Sequence, residues 1–123
     1  MTSTPTKLLV PGSGKLVLLD FDEITWIEAR GNYSVLHVDD QSYRMRTTMK
    51  DLLPKLPPAQ FMRVHRSAVV NLARIREIST GASGRHEIIL STGASLPLSR
   101  ERWKELKREL LQWTASTREL AAS

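Results

Sequence analysis

There is no cysteine among the 123 residues. Disulfides and thiolate metal sites are therefore excluded, and the chain is compatible with a reducing cytoplasm. No apolar run approaches the ~20 residues of a membrane-spanning helix. Residues 1–6 lack the basic start and apolar stretch of a secretion signal and read as a disordered lead-in. There is no internal repeat and no low-complexity segment. Aromatic residues amount to 6%, and only Tyr33 and Tyr43 stand on strand-like stretches where a base could stack. Single-stranded nucleic acid is thus a weak reading.

Hydrophobic residues make up 41% of the chain, enough for one domain with a real core. The formal net charge is +5 and it is unevenly spread. Residues 1–60 carry seven Lys/Arg against seven Asp/Glu, whereas residues 61–108 carry ten against four. Residues 109–123 carry one against two. The excess lies wholly in the second half, which points to an anionic partner, nucleic acid before membrane surface.

That half begins with Phe61-Met62-Arg63-Val64-His65-Arg66-Ser67-Ala68-Val69-Val70-Asn71. Val64, Ala68, Val69 and Val70 ask for burial, Arg63 and Arg66 for water or anions. A strand serves both, since successive side chains face opposite ways, and a turn at its tip would lift a guanidinium clear of the sheet. Other strands are expected over 7–10, 15–20, 24–29, 33–38, 42–46, 75–79, 85–90 and 94–98, rich in β-branched residues and parted by turn residues. Residues 80–84, with two glycines, read as a loop. Met49, Leu52, Leu53 and Leu56 follow helical spacing, with Thr47 or Thr48 as N-cap; Pro54 shortens that helix and Pro57-Pro58 stop it. Ser99 caps a clearer helix over 100–113, whose stripe is Trp103, Leu106, Leu110 and Trp113. Residues 114–123 read as a frayed tail. The fold class is mostly β with one short internal and one C-terminal helix, and the lack of helical crossovers argues against a parallel sheet.

No catalytic constellation emerges. His37, His65 and His86 have neither helical pair spacing nor a cysteine beside them, so no metal site is expected. Ser67 follows His65 without a strained Gly-x-Ser-x-Gly turn, and Gly12-Ser13-Gly14 does not open a strand–helix nucleotide unit. Glu28 reads as a strand-end glutamate paired with an arginine. No enzyme activity and no cofactor are expected.

Three motifs bring in a family. Ile24-x-x-Ile27-Glu28-Ala29-x-Gly31-Asn32-Tyr33, Phe61-x-Arg63-Val64-His65-Arg66-Ser67-x-Val69-Val70-Asn71 and Gly93-x-x-Leu96-Pro97-Leu98-Ser99-Arg100 together resemble the LytTR DNA-binding domain, the output domain of bacterial response regulators in two-component systems. The resemblance covers residues 7–113. It implies an elongated, mostly antiparallel β fold whose loops enter successive major grooves of bent double-stranded DNA. It also implies promoter direct repeats as targets, a second copy side by side on the DNA, and a cytoplasmic setting without membrane contact. Such proteins usually begin with a receiver domain; neither a receiver nor a sensor kinase is evident here. The chain reads as an excised output domain or a free-standing regulator of transcription.

Carried over residue by residue, the resemblance makes Asn32, Arg66 and Arg100 the base-reading positions. Arginine can fork onto guanine O6 and N7, and asparagine onto adenine N6 and N7. Arg30, His65, Ser67 and Ser99 are expected to shape the loops or meet the backbone. Lys50, Arg63, Arg74, Lys104 and Lys107 are candidate phosphate contacts. The alternative reading is a basic membrane-surface or protein-interaction module built on the last helix and its tryptophans.

Overall fold

The computed structural model describes residues 5–80 and 85–114. Ten strands and two helices follow one another: β1 Lys7–Gly12, β2 Lys15–Asp20, β3 Trp26–Arg30, β4 Tyr33–Val38, β5 Gln41–Met45, α1 Met49–Leu52, β6 Phe61–His65, β7 Ala68–Asn71, β8 Ile75–Thr80, β9 His86–Leu90, β10 Ser95–Leu98 and α2 Arg100–Trp113. Every paired strand is antiparallel. The expected β-rich class, with helix confined to two places, is the one observed. The expected lead-in lies outside the described residues over 1–4, as does the frayed tail over 115–123 and the loop over 81–84.

The centre is a five-stranded sheet in the order β5-β4-β3-β7-β6. Alternation along its strands feeds two cores. Ile27 and Val69 face one, with Leu8, Val10 and Leu19 of the β1–β2 hairpin and Met49 and Leu52 of α1. Ala68 and Val70 face the other, with Ile88, Leu90, Leu96 and Leu98 of the sheet β10-β9-β8 and Leu106 of α2. All four residues of β7 are consequently buried. A strand covered on both faces cannot show polar alternation, which explains its unbroken apolar run.

Two departures from the sequence reading stand beside one expectation that holds, the shortening of the first helix at Pro54. The 61–71 stretch forms two strands joined at Arg66-Ser67. Pro54 cannot continue an α-helix, so α1 ends at Leu52 and Leu53–Lys55 tightens into a 3₁₀ turn. Trp113 stays 44% exposed, so the α2 stripe that packs is Trp103, Leu106 and Leu110.

Candidate nucleic-acid interface

The central sheet has two chemically distinct ends. At one, the β4–β5 turn carries Asp39 and Asp40, and Thr25 donates its N–H to His37 O at 2.8 Å, drawing in the Asp20–Glu23 segment. Two basic residues there are paired: Lys7 with Asp20 at 2.7 Å and Arg74 with Asp39 at 2.9 Å. The opposite end gathers the β3–β4 turn, the exit of β5 and the β6–β7 turn, with Arg30, Arg46 and Arg66 exposed.

The β3–β4 turn is a two-residue hairpin, Arg30 opposite Tyr33. Gly31 has φ +58° and Asn32 has no positive φ, the pattern of a type II′ turn with glycine first. A side chain at Gly31 would meet nothing in space but would strain the backbone. Asn32, at the second position, projects exposed from the tip.

The β6–β7 turn is tied to this one, because Ala29 N–H donates to Ser67 O at 2.9 Å. Between Arg63 and His65 the pairing slips, so Val64 and His65 share the job of one register position. Such a bulge bends the strand and re-aims the side chains beyond it. His65 Nδ1 accepts from Ser67 N–H at 3.2 Å and lies 2.9 Å from Ser67 Oγ, closing the turn from within. From the strand, the Arg63 guanidinium donates to the carbonyls of His65, at 3.4 Å, and of Arg66. The side chain of Arg66 is left exposed at the apex.

Arg100 sits on a separate element. Thr92 and Ala94 of the β9–β10 turn share an open depression of about 620 Å³ with Asp39 and Asp40. β10 runs away from that acidic turn to Ser99, whose hydroxyl accepts from Arg102 N–H at 3.1 Å and caps α2. Arg100 is the exposed first residue of the helix. A cation at the positive end of the helix dipole is unfavourable by itself and strengthens attraction for an anion. Lys104 is exposed and Lys107 half-buried, one and two turns further along.

Two of the expected phosphate contacts have other work. Arg63 braces the β6–β7 turn, and Arg74 is paired at the acidic end, away from the arginine-bearing turns. Lys50 is exposed on α1, two residues after its N-cap Thr48. Reading by sequence missed Arg44 and Arg46. Arg44 lies over the Tyr33 ring, 4.6 Å from its centroid, and Arg46 follows β5 directly. Strand alternation from Tyr33 through the hairpin partner would have found Arg44 on the same face.

Glu28 is central to this face. Burial works against its ionisation, but hydrogen bonds from His37 and Arg30, each at 3.1 Å, outweigh burial and hold its carboxyl below the usual range. The partner expected for Glu28, an arginine, is Arg30 rather than one of the reading residues. Among the described residues no group of three His, Cys, Asp or Glu side chains is placed to hold a metal ion, and no helix is long and apolar enough to cross a membrane.

An antiparallel β domain with arginine-bearing turns at one basic end of its central sheet is the class of protein that the fold defines. The family description of the LytTR DNA-binding domain matches residues 14–111, and the chain belongs to that family. It is 32% identical over 110 residues to the sensory transduction protein LytT of Bacillus anthracis, covering 89% of this chain and 45% of that protein. It is 33% identical over 104 residues to LytT of Bacillus subtilis, 85% of this chain and 43% of the relative. The transcriptional regulatory protein YpdB of Escherichia coli K12 is 30% identical over 95 residues, 76% and 39%. The chain therefore spans less than half the length of these relatives. A solved LytTR DNA-binding domain from Bacillus cereus has the same fold, with TM-score 0.74, 17% identity and coverage of 86% of this chain and 97% of that one. The family is one of DNA-binding domains of transcription regulators, not of enzymes.

Proposed function

We propose that this chain is the duplex-reading part of a cytoplasmic transcription regulator. Asn32, Arg66 and Arg100 enter successive major grooves and read bases, while Arg30, His65, Ser67 and Ser99 hold the loops that present them. Lys50, Lys104 and Lys107 meet backbone phosphates. The observation that carries this reading is the bond from Ala29 N–H of β3, two residues before Gly31, to Ser67 O of the β6–β7 turn, at 2.9 Å. It sets side by side two turns whose apices carry Asn32 and Arg66, both exposed. Placement matters because base readout needs donors fixed to a fraction of an ångström.

The target is a promoter direct repeat, bent on binding and occupied by two copies side by side. The free protein is a monomer: among the described residues no heptad seam extends from α2. A mobility-shift titration against promoter and scrambled duplexes, at several salt concentrations, tests the reading. It predicts preference for one repeated sequence and a log–log salt slope of about −4 to −5, from about four to six phosphate contacts at −0.9 each. Binding that ignores sequence and salt alike would contradict it, and sedimentation showing a tight dimer without DNA would contradict the monomer.

A further inference from the structure

Among the described residues, nothing covers one part of one face of the central sheet. The β8–β10 sheet and α2 cover that face at β6 and β7, where Val64, Ala68 and Val70 are buried in the second core. Over β3, β4 and β5 the same face stays open, as a shelf of about 310 Å³ between Glu28, Arg30, Tyr33, His37 and Arg44. The register puts these residues on one side: Arg30 opposite Tyr33, Glu28 opposite Val35, Val35 opposite Arg44. Arg46 follows at the rim nearest the β3–β4 turn.

The electrostatics of the shelf are unbalanced. Among the described residues Glu28 is its only carboxylate, and both its oxygens are engaged, one by Arg30 Nε and the other by His37 Nε2. Among the described residues no acid forms an ion pair with Arg44 or Arg46. Like charges at neighbouring positions on one sheet face repel, and the one carboxylate in their midst, Glu28, is already engaged by Arg30 and His37. Two of the guanidinium groups are held in place before any ligand arrives, Arg30 by Glu28 and Arg44 by the Tyr33 ring at 4.6 Å. Groups ordered in advance lose less freedom on binding.

We propose that this open face is a second docking surface for the same duplex, on which Arg30, Arg44 and Arg46 take phosphodiester groups of the backbone flanking the base pair read at Asn32. The inference rests on the duplex-binding reading and extends the interface from the turn tips onto the sheet. Its chemistry is that of a phosphate clamp: it adds affinity and fixes the angle of approach without reading sequence. It also explains why Arg44 and Arg46 belong to a half of the chain with no net charge. Their counter-charges, Asp39 and Asp40, are one strand-length away at the far end of β5.

The test is duplex binding by Arg44→Ala/Arg46→Ala against specific and random sequences, over a salt series, with circular dichroism to follow folding. The double variant is expected to lose affinity for both duplexes by a similar factor, and its log–log salt slope should shrink by about two contacts' worth, each about 0.9. Arg44→Lys/Arg46→Lys, which keeps the charges, should hold the wild-type slope. If the double alanine variant does not fold, Arg46→Ala alone must reduce the slope by about 0.9, because Arg46 lies outside the strand register. An unchanged slope in folded variants overturns the proposal and leaves the shelf to an acidic protein partner. If the wild-type chain itself shows no salt-dependent duplex binding, the fault lies in the underlying DNA reading, and both fall.

Discussion

The guanidinium of Arg63 donates to the backbone carbonyl of Arg66, so the arginine inside the strand holds the arginine at its tip. A second bond, from Arg63 Nε to His65 O at 3.4 Å, closes the clamp. The β6–β7 turn contains neither glycine nor proline, and its shape depends on side chains that bond back to it.

Arg63→Met keeps the bulk of the stem and removes the clamp. It should reduce preference for the cognate duplex by about tenfold, equivalent to about 1.4 kcal/mol, while random-sequence affinity and salt slope stay at wild-type values. Arg63→Lys should not restore preference, since one ammonium cannot reproduce the guanidinium fork. Competition titrations with cognate and scrambled DNA distinguish this from loss of a phosphate contact, in which both affinities and the slope would fall together.

Asn71 is fully buried and joins three segments. Its amide donates to Phe21 O at 3.2 Å and Ile24 O at 2.8 Å, and its carbonyl oxygen accepts from Ala73 N–H at 2.9 Å. Asn71→Ala strands these backbone groups in the interior and should cost about 3 kcal/mol of stability. Urea denaturation should show a lower midpoint at unchanged slope, with DNA affinity at low denaturant retained.

Glu28 sets an acid limit on the basic face. Its folded-state pKa is depressed, so its contribution to stability is complete above the ordinary carboxylate pKa and is lost as pH falls through the depressed value. Thermal melts of wild type and Glu28→Gln should therefore differ most near neutrality and converge in acid. A gap that widened on acidification would show that Glu28 is held neutral instead.

Much of the fold was legible because turn chemistry punctuates it. Gly31-Asn32 and Asp39-Asp40 bracket β4, and its bounds match those read from sequence. The geometry of the β6–β7 hairpin was not legible, because Arg66-Ser67 carries no turn signal and the fold supplies the bend through the bulge, His65 and Arg63. The apices bearing Asn32 and Arg66 followed from motif and strand ends. The positions of Arg44, Arg46 and Arg74 did not, since charge counted along the chain says nothing of which end of a sheet each residue reaches. Trp113 matched the helical stripe in spacing, yet its stripe runs past the end of the surface it would cover, and it stays outside.

The central claim is that Arg66 and Arg100 read bases. The most direct measurement is the affinity of Arg66→Ala and Arg100→Ala for the cognate duplex and for duplexes altered at one base pair at a time, with circular dichroism confirming the fold. Each variant should lose about 1–3 kcal/mol on the cognate site and become indifferent to the identity of one base pair, a different pair for each arginine. Equal losses on every duplex, with preference at all positions intact, would contradict base readout and make both residues phosphate clamps.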